Sequence, residues 1–372
     1  MRVMLSGGGT GGHIYPAITI SKAIEKRSKS CQVLFVGTNQ GLEADIIPKE
    51  GYDFKTIDIR GFERRLTLQN LATLFKSAAS IWQSQSIIRK FKPDIVIGTG
   101  GYVCGPVLLA ASLLGVPTII QEQNVIPGIT NKILARFVDK IAVGYADAAN
   151  YFPSKDKVIF TGNPIRPEVM SASRQEGIEA LGLDPKKRTI LISGGSRGAR
   201  SINQAMVEVY KYFIARKDVQ LLHVTGKTEY NGIVGNLEQS GIDITSAGNI
   251  SIKPYLYNMP LALAAADLAI FRAGAVGLAE LTARGIPSIL IPYPYAAENH
   301  QEHNALVMEN HGAAAVIRDK ELSGERLLVL VKELIDDPSR LELMAAASKR
   351  IGRPEAAEHI AEIAIDLTNT KS

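Results

Sequence analysis

The stretch Ser6-Gly7-Gly8-Gly9-Thr10-Gly11-Gly12-His13 constrains this chain more than any other. It follows a short apolar run, Val3-Met4-Leu5. It precedes a segment whose Ile14, Ala17, Ile18 and Ile24 fall on one helical face, with Ser21 the single polar residue there. Five glycines between a strand and a helix permit a tight turn and leave amide N–H groups uncovered at the positive end of the helix dipole. Such a turn suits a phosphate or another developing anion.

From Arg2 to about Gly162, short β-branched runs alternate with longer helical ones. The pattern predicts strands near 3–6, 32–37, 55–59, 94–98, 118–121, 140–143 and 158–161, in a parallel sheet with helices on both faces. Ligands on such sheets bind at the carboxyl ends of the strands. There stand Gly7–His13, Thr99-Gly100-Gly101-Tyr102, Glu122-Gln123-Asn124 and Gly162-Asn163-Pro164. Gly7, Gly9 and Gly12 also satisfy the dinucleotide pattern G-x-G-x-x-G. That pattern wants a carboxylate at the end of the second strand, and Phe35-Val36-Gly37-Thr38-Asn39 supplies none. A nicotinamide cofactor is set aside on that ground.

A length of 372 residues suits two domains. Around 162–188 the chain turns polar and proline-bearing, and then a second strand–glycine–helix unit begins, Thr189 to Gly198. Further strands are predicted near 220–225, 268–271, 288–291 and 314–317. The economical architecture is α/β: two Rossmann-like, doubly wound parallel-sheet domains facing across a cleft. Their expected bounds are 1–164 and 165–352, with a C-terminal helix, 353–372, packing back on the first. Cys31 and Cys104 stand far apart in apolar settings, which predicts no disulfide framework and a reducing compartment. Met1-Arg2 running straight into a strand predicts no signal peptide. The most apolar stretch, Val107 to Ile120, is broken by Gly115 and Pro117 and is too short to cross a bilayer. A net charge of +5 suits an anionic partner.

The second half holds a competing signal. Gly194-Gly195-Ser196-Arg197-Gly198 matches G-x-S-x-G, and Asp267 and His300 follow in hydrolase order. That reading leaves the first glycine turn idle, whereas a phosphate cradle explains both turns, with Ser196 donating its hydroxyl and N–H. In Asp267 to Leu281 a strand ends in Arg272, small residues turn the corner, and a helix carries Glu280 in its early turns. Small residues there admit a diphosphate to the amides, and the carboxylate is placed to accept both hydroxyls of a ribose. His300 and His303 stand three apart with no third ligand marked, so no metal is expected. Leu68, Leu71, Leu74, Phe75, Ile81 and Trp82 recur at helical intervals beside Arg64, Arg65, Lys76, Arg89, Lys90 and Lys92. They read either as a core-facing helix with a solvated basic side or as a surface resting on anionic lipid.

Several motifs in one order carry a resemblance: GGGTGGH, GTGGYVCGP at 98–106, EQNVIPGITNK at 122–132, GNPIR at 162–166, GGSRGA at 194–199, and RAGAVGLAEL followed by NHQEHNA. Over nearly its whole length the chain resembles the MurG family of bacterial N-acetylglucosaminyltransferases. The resemblance implies a GT-B fold, the first domain for a lipid-linked acceptor and the second for UDP-N-acetylglucosamine. It implies inverting transfer to the 4-hydroxyl of the N-acetylmuramyl-peptide of lipid I (the undecaprenyl-pyrophosphate-linked acceptor), giving lipid II for peptidoglycan. No metal or other cofactor and no nucleic acid partner are implied. Peripheral attachment to the cytoplasmic face of the cell membrane is, with Leu66–Lys92 on anionic lipid.

Carried over by motif, Thr10, Gly11 and Gly12 would border the donor sugar, Tyr102 would line the same rim, and Asn124 would bind the sugar's hydroxyl or acetamido region. Arg166 and Ser196 would approach the diphosphate, as would the helix start Ala275, Val276, Gly277, Leu278 and Ala279. Tyr255 would flank the uracil and the Leu256 backbone would read its edge. Glu280 would hold the ribose and Gln301 would touch the transferred sugar. The family usually has Thr or Ser where this chain has Gly277, so the phosphate contact there falls to backbone N–H or to Ser196. A general base is also required. His13 ends the first glycine turn, and the ordinary histidine pKa of about 6.5 suits that work. Glu122 competes for the role, and a His13 that merely caps the loop stays open. Two rival functions remain: an epimerase on the same scaffold, and a nucleotide-sugar-binding subunit without turnover.

Overall fold

The structure is a computed structural model that describes residues 1–59, 68–195, 197–239 and 248–371, with the side chains of 68–78 and of 371 outside the description. Arg64, Arg65, Leu66 and Ser196 therefore lie outside the described residues, as do the side chains of Leu68, Leu71, Leu74, Phe75 and Lys76. The chain divides into two compact units, Met1–Ile165 with Pro354–Ser372, and Arg166–Arg353.

In the first unit the apolar runs form β1 (Arg2–Gly7), β2 (Gln32–Gly37), β3 (Asp53–Thr56), β4 (Ile95–Gly100), β5 (Thr118–Glu122), β6 (Lys140–Val143) and β7 (Val158–Phe160). They make one all-parallel sheet in the order β3-β2-β1-β4-β5-β6-β7. The helices used below are α1 (Gly11–Arg27), α2 (Glu43–Lys49), α3 (Leu68–Phe91), α4 (Cys104–Leu113) and α5 (Ile129–Leu134). Successive strand residues point to opposite faces, and both faces are covered, so the strands are apolar throughout. Val3 and Leu5 join Ile14, Ile18, Phe35 and Ile97 on one face. Met4 joins Val96, Val107, Leu108 and Ile120 on the other. The C-terminal helix Ala356–Lys371 adds Ile360, Ala361 and Ala364 to the α1 face.

The second unit repeats the plan with β8 (Arg188–Ser193), β9 (Val219–Val224), β10 (Ile250–Lys253), β11 (Leu268–Phe271), β12 (Ser288–Leu290) and β13 (Ala314–Val316), all parallel in the order β10-β9-β8-β11-β12-β13. Ile190, Ile192, Leu221 and Ile270 pack against Met206, Tyr210 and Phe213 of the helix Arg200–Phe213, all buried. Each sheet reverses its order beside its first strand, and at such a switch point a crevice opens at the carboxyl ends. Both expected doubly wound sheets are therefore present. Two strand expectations need correction. The strand placed near 55–59 is β3, which pairs Asp53–Thr56 with Leu34–Gly37, while Ile57 and Ile59 are buried beyond its end. β10 was not expected, because four residues carry too little alternation to be seen without the neighbouring β9.

Candidate active site

At the carboxyl rim of the first sheet, β1 runs into the glycine turn and α1 begins at Gly11. Two glycines are required by space and backbone. A Cβ on Gly7 would lie 2.1 Å from Thr99 Oγ1, and Gly9 adopts φ +85°. His13, in the first turn of α1, donates from Nδ1 to the carbonyl oxygen of Gly8 at 2.9 Å. A carbonyl only accepts, so Nδ1 carries a proton, and the tautomer this contact selects has its lone pair on Nε2. Thr99 Oγ1 donates to His13 O at 2.7 Å, and Gly8 N–H donates to Gly100 O at 3.3 Å. Thr10 and Gly12 are exposed and Gly11 is half-buried, at a helix start whose first amides have no acceptor within the helix. Cys104 Sγ donates to Ser6 O and Gly100 O at 2.9 and 3.0 Å, and burial pushes its thiol up to about 11. It is a tie between β1 and β4 and not a nucleophile.

Two acidic residues at this rim behave differently from the sequence reading. Glu122, 2% exposed, accepts on Oε1 from Asn124 N–H (2.9 Å) and Asn124 Nδ2 (3.2 Å). Its Oε2 accepts from Gly128 N–H (3.1 Å) and Asn131 Nδ2 (2.8 Å). Both oxygens are thus spent on the loop between β5 and α5, where half-buried Asn124 sits. The second, Glu43 at the start of α2, is 1% exposed and accepts from Gly9 N–H at 2.9 Å. A carboxylate does stand near the end of β2, arriving six residues late, and it turns into the protein's own glycine loop. The first turn is therefore not an open phosphate cradle, since one of its amides already meets an anion. Tyr102 lies exposed just before α4. Beneath the rim Gln121 Nε2 donates to Asn163 Oδ1 at 2.9 Å and Asn163 Nδ2 donates to Gln123 O at 2.9 Å, while Gln123 Nε2 donates to Thr99 O at 2.5 Å. This buried amide network links the ends of β4 and β5 to the Gly162-Asn163-Pro164 turn.

In the second unit the loops after β8 and β9 meet backbone to backbone. A Cβ on Gly198 would fall 2.1 Å from Thr225 O. Below them Asn203 Nδ2 donates to Thr225 O at 3.0 Å, His223 Nε2 donates to Asn203 Oδ1 at 3.0 Å, and the Tyr210 hydroxyl donates to His223 Nδ1. Burial pushes His223 down to about 3, so it is neutral. Lys227 follows at the rim, its Nζ 5.2 Å from the Tyr255 ring centre and 5.9 Å from that of Tyr257, and the two rings meet edge to face at 4.8 Å. Composition alone gave no sign of this lysine. Leu256 is half-buried between the two tyrosines.

Arg272 Nη1 donates to Asp319 Oδ1, Ile291 O and Pro292 O, and its Nη2 donates to Ser201 Oγ, which makes it an anchor for the loop after β11. The helix Ala275–Arg284 then starts with Ala275 and Leu278 buried and Val276, Gly277 and Ala279 half-buried. A Cβ on Gly277 would meet nothing within 4 Å, so the space beside this helix start is open. Glu280, 6% exposed, accepts from Arg166 Nε at 2.9 Å, with Nη2 also 2.9 Å away. Gln301, in the first turn of the helix His300–Asn310, accepts on Oε1 from Tyr293 N–H at 3.0 Å.

The hydrolase alternative fails on register. Leu268 pairs with Ile190, so Asp267 stands at the amino edge of β11, accepting from Thr189 N–H at 2.7 Å. That edge is the opposite end of the sheet from Gly194. His300 Nδ1 donates to Ala297 O at 2.7 Å. Among the described residues no group of three His, Cys, Asp or Glu side chains gathers where a metal ion could be held.

Residues 3–143 match the Glycosyltransferase family 28 N-terminal domain and residues 189–360 its C-terminal domain. A relative from Desulforamulus reducens is 49% identical over 360 residues, covering 97% of each chain. One from Halothermothrix orenii is 49% identical over 358 residues, covering 96% of each. Both are named UDP-N-acetylglucosamine--N-acetylmuramyl-(pentapeptide) pyrophosphoryl-undecaprenol N-acetylglucosamine transferase. Among solved structures, Acinetobacter baumannii MurG superposes with a TM-score of 0.78 at 28% identity, covering 98% of this chain and 99% of that one. A Neisseria meningitidis UDP-GlcNAc 2-epimerase bound to UDP-GlcNAc shares the fold, with a TM-score of 0.69 at 15% identity over the full length of both.

Proposed function

The chain belongs to the MurG family within glycosyltransferase family 28, and on that premise we propose how its own residues carry out the reaction. It is a GT-B N-acetylglucosaminyltransferase that moves N-acetylglucosamine from UDP-N-acetylglucosamine to the N-acetylmuramyl-(pentapeptide) pyrophosphoryl-undecaprenol acceptor, a step in making the peptidoglycan precursor. In our reading the first unit takes the acceptor. His13 Nε2 removes the proton of the muramyl 4-hydroxyl as that oxygen attacks the anomeric carbon, and UDP leaves from the opposite face with inversion. The single observation that carries this is the bond from Nδ1–H to the Gly8 carbonyl, which leaves Nε2 as the ring's acceptor. Glu122 is assigned to holding its loop, because a base needs a lone pair to spare and four N–H donors occupy its oxygens. Thr10, Gly11, Gly12, Tyr102 and Asn124 border the transferred sugar.

The second unit takes the donor. Ser196, the helix start Ala275–Ala279 and the cations Arg166 and Lys227 offset the charge that develops on the departing diphosphate. Tyr255 flanks the uracil, the Leu256 backbone reads its edge, and Gln301 touches the sugar. Glu280 accepts the ribose hydroxyls. Its pairing with Arg166 means that donor binding exchanges one partner for another, with the guanidinium turning to phosphate as the carboxylate meets ribose. No helix among the described residues is long and apolar enough to cross a membrane. We place the chain peripherally on the cytoplasmic membrane face, through α3 and its flanks.

The test is to incubate labelled UDP-N-acetylglucosamine with and without lipid-linked muramyl-pentapeptide, in the presence of a chelator. Label is expected in the lipid fraction only when the acceptor is supplied. Conversion of the nucleotide sugar without acceptor would indicate an epimerase, and binding without any conversion a subunit lacking turnover.

A further inference from the structure

We propose that Glu43 is a positioning residue for His13, acting through the peptide group between Gly8 and Gly9. The carboxylate accepts on Oε2 from Gly9 N–H at 2.9 Å. Its Oε1 accepts from Thr38 N–H at 3.1 Å and Thr38 Oγ1 at 2.8 Å. The Gly8 carbonyl belongs to the same planar peptide as Gly9 N–H, and it is the group that accepts His13 Nδ1–H at 2.9 Å. Carboxylate, amide and imidazole therefore stand in series, with one peptide plane where a direct carboxylate–histidine contact would otherwise be.

Each link has a physical consequence. An ionised acceptor on the N–H side of an amide draws that hydrogen and leaves the carbonyl oxygen more negative, because hydrogen bonds in a chain polarise one another. The more negative carbonyl holds Nδ1–H more firmly, which fixes the tautomer and steadies the imidazolium once Nε2 has taken a proton. The same contact fixes the plane of a peptide flanked by two glycines, which has little stiffness of its own.

The packing is built around this carboxylate. A Cβ on Gly8 would lie 2.5 Å from Glu43 Oε1 and one on Gly41 2.0 Å from Oε2, while one on Gly37 would lie 2.6 Å from Glu43 Cγ. Three glycines, one ending β2 and two in the loops after β1 and β2, thus leave the slot that a fully buried side chain fills. On the other side of the loop Thr99 holds the His13 backbone carbonyl, so the residue is fixed at its main chain as well as at Nδ1.

The inference rests on reading His13 as the base, and its test separates the two. In ¹⁵N-histidine-labelled full-length protein, two-bond ¹H–¹⁵N correlation spectra report the His13 tautomer, with His13→Asn assigning the signal. Wild-type protein is expected to show Nδ1–H. In Glu43→Gln the carboxamide must turn its NH₂ toward either Gly9 N–H or Thr38 N–H. The signal is therefore expected to move toward Nε2–H, and kcat to fall about 10- to 100-fold, a part of what general base catalysis supplies. The affinity for UDP-N-acetylglucosamine should stay within about twofold, since the residues read as holding its uracil, ribose and diphosphate lie in the other unit. Glu43→Asp keeps the charge but withdraws it by one methylene, and serves if the Gln variant does not fold. It should show the same changes in smaller degree.

A wild-type Nε2–H signal overturns the proposal. So do variants that keep the Nδ1–H signal, and so does an unchanged kcat in a variant whose tautomer has moved. If instead His13→Asn itself transfers sugar at the wild-type rate, the base assignment falls while the tautomer result stands.

Discussion

At the scale of single residues, the groups that matter are the buried ones whose charge state the fold dictates. His223 is held neutral, at about 3, under the second glycine loop, whereas an unfolded chain gives it the ordinary value of about 6.5. Between those values the unfolded state binds a proton that the folded state does not. Stability is therefore fully present above about 6.5 and is lost as pH falls toward 3, by up to about 1.4 kcal/mol per pH unit. Denaturant unfolding at pH 7 and pH 5 should show a larger loss for wild type than for His223→Gln. Equal losses would mean that the histidine is not held neutral. This histidine was not singled out from sequence, and neither was Glu43. A histidine ending a glycine turn is legible because spacing places it on the helix start. Glu43 is not, since only the fold-back of the loop after β2 brings it to Gly9. Glu122 shows the reverse: its position at a strand end drew a catalytic reading, and only the four N–H donors on its oxygens reveal a tie.

At the scale of elements, the strands were legible wherever both faces are buried, because such strands read as unbroken apolar runs. β10, with four residues, and the shifted β3 were not, since pairing with a neighbour decides them. For α3 the sequence left two readings open, and its described side chains carry something of each. Ile88 is buried and Ile81 packs partly against the core, with Ser80 and Ser84 buried beside them. Trp82 is 69% exposed, with Arg89 and Lys90 exposed further along. An aromatic beside basic residues on the outward face suits an anionic bilayer surface. Trp82 is the chain's one tryptophan, so its emission reports on this helix directly. Vesicles containing phosphatidylglycerol should shift that emission to the blue, an effect weakened by salt. Phosphatidylcholine vesicles should leave it in place. An emission unmoved by anionic vesicles would remove α3 from the membrane reading.

At the scale of the whole molecule, two strand–glycine–helix beginnings made two doubly wound domains legible, because each such turn opens its own sheet. The helix Ala356–Lys371 returns to the first unit, where its Ile360 and Ala364 lie with Ile14 and Ile18. In the proposed reaction the labour is divided in the same way: His13 and its supports belong to the first unit, and Arg166, Glu280 and Lys227 to the second. A loss of chemistry should then be separable from a loss of donor binding. The most direct measurement is of His13→Ala, with turnover on the lipid-linked acceptor and UDP-N-acetylglucosamine affinity taken on the same preparation. The account predicts a fall in kcat of about 10²- to 10⁴-fold with donor affinity unchanged. Turnover at the wild-type rate, or a loss of donor affinity as large as the loss of turnover, would contradict it.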